Sequence, residues 1–129
     1  MPASEQDFLD RIDRHFPNSS PGLALGRGDD CAVLDVSGPV CLSTDLFVEH
    51  QHFRRGYFSP GDIGHKALAA AASDLAAMGA VPVGFALSLM ISDADDDSFL
   101  DALLEGMGAL SRRLSLPLVG GDLSRGPAL

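Results

Sequence analysis

The chain is organised around the stretch Leu42-Ser43-Thr44-Asp45-Leu46-Phe47-Val48-Glu49-His50-Gln51-His52-Phe53. Its first half has the alternation of a β-strand, because the apolar-rich even positions from Val40 to Val48 share one face. Ser43, Thr44 and Asp45 place two hydroxyls and a carboxylate in a row, and Mg²⁺ prefers such hard oxygen ligands. A strand that ends in a solvated turn would use the same residue types. The neighbours of this stretch therefore decide between the two interpretations.

A second strand is predicted upstream, from Cys31 to Val36, and the turn 37–39 separates it from the first. A hairpin around that turn places Asp30 beside Asp45, within the roughly 5–8 Å that opposite and diagonal positions allow. Two carboxylates at that distance repel each other unless a cation or a shared proton relieves them. The hairpin therefore predicts a cation site.

The composition limits the classes of partner. The chain has 129 residues, of which 46% are apolar, and one folded domain is expected. It carries 18 acidic against 9 basic residues, a net charge of −9. This charge argues against nucleic acid or an anionic membrane as a partner, since both attract basic surfaces. It suits a protein that binds cations, although it would also serve solubility alone.

Three features of the sequence predict a cytoplasmic protein. The two cysteines, Cys31 and Cys41, are about 13 Å apart in the hairpin register, too far for a disulfide, and we expect both to be reduced. The N-terminus has no basic region followed by an apolar run, so no signal peptide is expected. No apolar run reaches the roughly 18 residues needed to span a bilayer.

The remaining pattern predicts an α+β domain in the order α, β, β, α, β, α, β, with a mixed or antiparallel sheet packed by helices. The predicted helices run from Ser4 to Phe16, from Ser59 to Met78 and from Ser98 to Arg113, and the later strands are Pro82–Ile91 and Leu116–Val119.

Four short segments carry aspartate beside glycine or a hydroxyl residue. They are Gly28-Asp29-Asp30, Ser43-Thr44-Asp45, Ser73-Asp74 and Gly120-Gly121-Asp122. The sequence has neither a P-loop nor a His/Cys group at zinc spacing. Carboxylates and hydroxyls with glycine-rich backbone match Mg²⁺ held jointly by protein and nucleotide phosphates.

These segments and their flanks together resemble the thiamine-monophosphate kinase family. The resemblance rests on Gly28–Leu34, Ser43–Glu49, His52-Phe53, Lys66–Ala69, Ser73–Ala80 and Gly120–Asp122, which occur in the family's order. The larger superfamily includes aminoimidazole ribonucleotide synthetase, selenophosphate synthetase and a hydrogenase maturation protein. One departure is His50, which stands where the family usually has glycine in Glu-Gly-x-His.

The resemblance implies a division of roles among these residues. Mg²⁺ would be held by Asp30, Ser43, Thr44, Asp45, Asp74 and Asp122. Gly121 and Asp122 would contact the phosphates of ATP, and His52 would contact thiamine monophosphate. No residue is assigned as a general base or nucleophile. The resemblance also implies that residues 1–129 are the N-terminal ATP- and Mg²⁺-binding domain, that a C-terminal domain lies outside this chain, and that the sheet pairs with its twin in a barrel-like dimer.

The expected reaction is the ATP-dependent phosphorylation of thiamine monophosphate to thiamine pyrophosphate, and residues 1–129 alone are expected to be inactive. The alternatives are a sister ATP-dependent synthetase and a non-catalytic acidic module that binds cations and dimerises. Apolar faces on the strands Pro82–Ile91 and Ser43–Val48 independently favour a homodimer. With one Tyr and no Trp, the sequence shows no obvious surface for stacking the rings of thiamine.

Overall fold

The computed structural model describes residues 2 and 4–129, and this part of the chain contains three helices and four strands. The helices are α1 (Glu5–His15), α2 (Pro60–Ala77) and α3 (Asp97–Leu114). The strands are β1 (Leu23–Leu25), β2 (Val33–Leu34), β3 (Phe85–Ile91) and β4 (Leu118–Arg125). The protein is an α+β domain, as the sequence predicts.

All three helices begin at the side-chain caps that satisfy their first N–H groups. Ser4 accepts a hydrogen bond from the Asp7 N–H at 3.1 Å. Ser59 and Asp62 form a reciprocal capping box, with both hydrogen bonds at 3.1 Å. Asp96 caps α3 by accepting from the Phe99 N–H. The predicted helices are therefore confirmed to within about two residues at each end.

The strands form two separate pairs instead of one mixed sheet. β1 and β2 are antiparallel, whereas β3 and β4 are parallel and are connected through α3. In the second pair Ser88 lies opposite Asp122. The parallel pair therefore carries the Gly120-Gly121-Asp122 motif inside β4, where the sequence predicted a loop after a shorter strand.

The predicted hairpin is wrong, because β2 pairs with β1 and residues 35–48 belong to no strand. β1 was not predicted, since its three residues between Gly22 and Gly26 are too short to show a period. The segment 35–48 has the composition of a strand, but β-propensity is realised only against a neighbouring strand. Its apolar side chains before Phe47 consequently remain in solvent, with Leu42 90% and Leu46 76% exposed.

The core lies where α2 and α3 pack together and against β3 and β4. Its most buried apolar side chains are Phe53, Ile63, Leu68, Ile91, Leu100, Leu103, Leu104, Met107, Leu116 and Leu118. The two helices approach so closely that glycines, Gly64 and Gly106, occupy the contact. Arg11 ties α1 to α3 through ion pairs with Asp97 at 3.0 Å and Asp101 at 2.9 Å. None of the described helices combines the length and apolar character required to cross a membrane.

Candidate functional site

The Ser-Thr-Asp segment lies against the second half of α2. Ser43 Oγ donates a hydrogen bond to Asp74 Oδ2 at 2.9 Å, and Ser43, Thr44, Asp45 and Asp74 are all exposed. Asp74 stands close to the C-terminal end of α2, whose last turn has no basic residue. A helix C-terminus disfavours a carboxylate and favours a cation. Two motifs that are 31 residues apart thus meet at a position where positive charge would be stabilised.

The Gly-Asp-Asp segment forms an exposed bend between β1 and β2. Asp29 accepts a hydrogen bond from the Asp30 N–H at 2.8 Å, which shapes the bend locally. Gly28 has a φ of +114°, a conformation that a residue with a Cβ rarely adopts. The Asp30 carboxylate is exposed to solvent.

The Gly-Gly-Asp motif depends on a close approach between β4 and β3. Gly121 has a φ of +152°, and an added Cβ would overlap the Leu87 carbonyl oxygen and lie 2.6 Å from its carbon. Asp122 accepts a hydrogen bond from Ser124 Oγ at 2.9 Å. Asp122, Ser124 and Arg125 line a surface cleft of about 400 Å³. The motif therefore presents a carboxylate on a rigid strand beside open space.

The predicted ligands are only partly assembled. Within residues 2 and 4–129, no three His, Cys, Asp or Glu side chains lie close enough together to hold one metal ion. Ser43 and Asp74 are joined directly, while the geometric argument that placed Asp30 beside Asp45 no longer holds, because their strands do not pair. The described part of the chain thus offers hard oxygen donors on separate segments and no preformed metal cage.

His52 lies in a tight turn with a defined ring orientation. Its Nδ1 accepts a hydrogen bond from the Val48 N–H at 2.9 Å, so in this arrangement Nδ1 carries no proton. The ring stacks on Phe47, with centroids 5.9 Å apart. His50 begins the turn with a φ of +67°, the left-handed region that glycine enters at little cost. Glycine would suit that position for this reason, and His50 adopts the left-handed conformation despite its side chain.

Aromatic side chains surround His52, although the composition, with one Tyr and no Trp, predicts no obvious surface for stacking. Phe47 also stacks on Phe53 at 5.1 Å, and Lys66 Nζ lies 4.7 Å from the Phe58 ring centroid. Tyr57, which is exposed, packs against Phe58 at 5.0 Å. The signal that could have indicated this surface is the series of aromatic residues between Phe47 and Phe58.

A partly buried ionic network holds the His52 turn against the start of α3. Arg55 makes a bidentate pair with Glu49 at 2.7 and 3.1 Å and a further pair with Asp95, whose side chain is fully buried. Ser92 donates two hydrogen bonds to Asp95, at 2.7 and 3.0 Å. Burial raises the pKa of Asp95, but the hydrogen bonds from Arg55 and Ser92 lower it by more, so the pKa lies below its ordinary value.

Comparison with known proteins identifies the family of the chain. Residues 28–129 match the family model described as "AIR synthase related protein, N-terminal domain". The thiamine-monophosphate kinase of Escherichia coli K12 is 37% identical over 132 residues, which cover 98% of this chain and 39% of that protein. The predicted resemblance is confirmed.

Solved structures show the same fold. A crystal structure of thiamine-monophosphate kinase from Stenotrophomonas maltophilia K279a superposes with a TM-score of 0.78 at 34% identity, covering 94% of this chain and 38% of that one. The hydrogenase maturation protein HypE in complex with ATP superposes with a TM-score of 0.70 at 28% identity, covering 94% and 32%. The chain spans about two-fifths of the length of the kinases that it matches. It belongs to the family of AIR synthase-related N-terminal domains.

Proposed function

We propose that this protein is part of a kinase that transfers the γ-phosphoryl group of ATP to thiamine monophosphate, producing thiamine pyrophosphate. The observation that carries the proposal is the hydrogen bond between Ser43 and Asp74, which joins the Ser-Thr-Asp and Ser-Asp motifs on one surface. The similarity to thiamine-monophosphate kinases over 98% of the chain supports this choice of substrate.

The proposed reaction needs charge compensation more than proton transfer. A phosphate monoester is already largely ionised near neutral pH, since its second pKa is about 6. The principal barrier is the repulsion between two polyanions that must align for in-line displacement. No side chain therefore has to act as a strong base. The residues of this chain have to hold both phosphates at fixed positions.

The donor set fits Mg²⁺ shared with a nucleotide. Mg²⁺ usually binds to one or two carboxylates, several waters and substrate phosphates, so it does not require an all-protein cage. Asp74, Asp45, Thr44 and Ser43 would serve one such ion, and Asp30 and Asp122 would serve others. When bound, Mg²⁺ would neutralise phosphate charge and polarise the transferred group. Gly121, whose missing side chain admits the close approach of β3 at Leu87, would meet a phosphate through its backbone.

The aromatic surface around His52 is the proposed acceptor site. Because Nδ1 of His52 accepts the hydrogen bond from the Val48 N–H, the proton of a neutral ring is on Nε2. The Nε2–H would then donate a hydrogen bond to the substrate. The exposed rings of this surface are His52, stacked on Phe47, and Tyr57, packed on Phe58, and they would offer apolar faces for the rings of thiamine. These two features would orient the acceptor phosphate relative to the Ser43–Asp74 pair.

A second candidate is a different ATP-dependent reaction of the same superfamily. It is favoured by the structural similarity to HypE in complex with ATP. Both candidates use ATP, and the acceptor distinguishes them.

The experiment is a turnover assay with the full-length protein, ATP, Mg²⁺ and thiamine monophosphate, in which thiamine pyrophosphate is followed by chromatography. We expect turnover of about 1 s⁻¹ or faster, within the ordinary range for enzymes. Residues 1–129 alone should bind Mg²⁺-nucleotide weakly and form no product, because the relatives are much longer and positioning supplies most of the rate. Consumption of ATP without thiamine pyrophosphate would favour the second candidate.

Asp45→Asn provides the matched test of the metal assignment. It should lower kcat/KM at least about 100-fold, because a lost ligand removes part of the several kcal/mol that a metal supplies. Asp93→Asn is the control, since Asp93 is an equally exposed aspartate outside the motifs. If both variants retain wild-type activity, Asp45 is not a metal ligand.

We also propose that the protein is a homodimer whose contact includes residues 35–48. This segment exposes a row of apolar side chains, and its backbone belongs to no sheet of the chain. An extended segment of this kind gains both apolar burial and hydrogen bonds by pairing with a second copy. Sedimentation at micromolar concentration should show a dimer, and Leu42→Asp should give a folded monomer. A wild-type protein that sediments only as a monomer would rule out the proposal.

A further inference from the structure

Arg27 directly precedes the Gly-Asp-Asp motif, and its guanidinium donates all of its hydrogen bonds to other groups of the protein. Its side chain is 10% exposed. Nη1 donates to the carbonyl oxygens of Pro17 at 2.8 Å and Leu118 at 2.7 Å. Nη2 donates to the Phe16 carbonyl at 2.9 Å and to Asp13 at 2.9 Å, and Nε donates to Asp13 at 3.3 Å. All five N–H donors of an arginine are thereby satisfied.

The backbone of Arg27 is held from the other side by Asn18. The Arg27 N–H donates to Asn18 Oδ1 at 2.7 Å, and Asn18 Nδ2 donates to the Arg27 carbonyl at 3.2 Å. Gly26 allows this approach, because an added Cβ would overlap Asn18 Oδ1 and lie 2.8 Å from Asn18 Cγ. Main chain and side chain are therefore both fixed at this position.

These contacts connect the two glycine-aspartate segments of the site. The Arg27 guanidinium joins the end of α1 to Leu118, the first residue of β4, and β4 continues to Gly121 and Asp122. In the other direction the chain continues from Arg27 directly into the bend that carries Asp30. One side chain thus ties the start of the Asp30 bend to the strand that carries Asp122.

We propose that Arg27 is a positioning residue, which fixes the Gly28–Asp30 bend relative to β4 so that the two segments bind Mg²⁺-nucleotide together. A basic residue beside a glycine-rich anion site would ordinarily be taken as a phosphate ligand. Arg27 has no remaining N–H donor for a phosphate, and its effect on the nucleotide is indirect. This inference rests on the proposed nucleotide site, but it does not depend on which acceptor the protein uses.

The test compares Arg27→Met and Arg27→Lys with the matched control Arg112→Met in the full-length protein. Arg112 also donates to a carbonyl at the end of α1, that of His15 at 2.7 Å, but it contacts neither glycine-aspartate segment. We expect both Arg27 variants to raise the KM for Mg²⁺-ATP about tenfold or more, as the loss of an outer-shell contact typically does. The KM for the acceptor should stay within about twofold of wild type, because neither substitution removes a contact with that substrate. Arg112→Met should change neither KM.

The lysine variant separates positioning from direct phosphate binding. A lysine keeps the charge but cannot reproduce the planar fork, so a positioning role predicts that Arg27→Lys fails like Arg27→Met. Near-wild-type ATP affinity in Arg27→Lys, with loss only in Arg27→Met, would overturn the proposal in favour of a charge contact with phosphate. An unchanged KM for ATP in both variants would leave Arg27 with a role in stability alone and would equally overturn it.

Amide hydrogen exchange gives a readout that does not need nucleotide or activity. Arg27→Lys should speed exchange in residues 28–31 and in β4 together, whereas Arg112→Met should leave both segments protected as in wild type. If Arg27→Met does not fold, the same comparison can be made with Arg27→Lys and Asn18→Ser. Asn18→Ser loosens the bend because it removes hydrogen bonds to the Arg27 backbone. A wild-type protein that does not bind ATP would refute the proposed function, while coupled exchange of the two segments would still establish the link through Arg27. Independent exchange of the two segments would refute that link.

Discussion

Gly106→Ala is expected to lower the free energy of unfolding by more than about 4 kcal/mol, a size reached only by severe core defects. A Cβ at Gly106 would overlap the carbonyl oxygen of Gly61 and lie 2.6 Å from its Cα and 2.7 Å from its carbonyl carbon. These are backbone atoms of α2, and they cannot rotate away as a side chain would. The helices would have to separate.

Separation of α2 from α3 would damage both the core and the site. Gly64 makes the reciprocal contact, since an added Cβ there would overlap the Leu103 carbonyl oxygen and lie 3.0 Å from its carbon. Leu103 and Leu104 are buried at the same interface, so a shift opens a cavity as well as breaking the contact. α2 also carries Asp74, and α3 connects the two strands of the parallel pair.

The sign of the change in unfolding free energy distinguishes the helix contact from helix propensity. Intrinsic propensity alone predicts that glycine to alanine inside a helix stabilises by roughly 1 kcal/mol. Gly61→Ala is the matched control, because its Cβ would lie 3.6 Å from the Ala102 carbonyl oxygen, an ordinary contact. Urea denaturation should show Gly61→Ala near or above wild type and Gly106→Ala largely unfolded. Equal stability of the two variants would mean that the helices do not touch at Gly106.

This contact illustrates what local sequence patterns predict and what they do not. The caps Ser4 and Ser59 act on N–H groups three residues away, so the helix boundaries follow from neighbouring residues. The partner of Gly106 is 45 residues away in sequence, and nothing near position 106 indicates it. The same limit explains the wrong hairpin: residues 40–48 alternate like a strand, but pairing depends on a partner that local pattern does not identify.

In the candidate site, too, the residue types could be predicted from the sequence, whereas contacts between distant segments could not. The four aspartate motifs were predicted from residue types, and the structure joins two of them through Ser43 and Asp74. The geometric argument for Asp30 and Asp45 failed, because it depended on a strand register. Contacts between distant segments, such as those of Arg27 with Leu118 and Arg55 with Asp95, could not be predicted, since each requires the tertiary fold.

Arg55→Met is expected to destabilise the protein by about 3 kcal/mol, because it leaves a buried carboxylate without its charged partner. Asp95 is fully buried, and the substitution would remove the guanidinium while leaving the two hydrogen bonds from Ser92. Arg55 also packs over the Phe99 ring at 4.4 Å, a contact that methionine can partly replace. The turn that carries His52 would lose its tie to α3, so the acceptor KM should rise as well.

The dependence on pH follows from the lowered pKa of Asp95. A carboxyl whose folded pKa lies below its unfolded value of about 3.9 stabilises the fold above that pH, and this stability is lost as the pH falls through the folded pKa. Arg55→Met removes a main cause of the lowering. The difference in unfolding free energy between wild type and Arg55→Met should therefore be greatest near neutral pH and should narrow below about pH 4.

A double-mutant cycle isolates the buried pair from other effects of losing Arg55. Asp95→Asn removes the charge while keeping an oxygen for the Ser92 donors, so the variant with both changes should be more stable than Arg55→Met alone. The neighbouring Arg54→Met is the control, since Arg54 is exposed, and exposed substitutions usually lie within about 0.5 kcal/mol of wild type. Denaturation of the four proteins at pH 7 measures the coupling. Additive effects of Arg55→Met and Asp95→Asn would mean that the Arg55 guanidinium does not stabilise the Asp95 carboxylate.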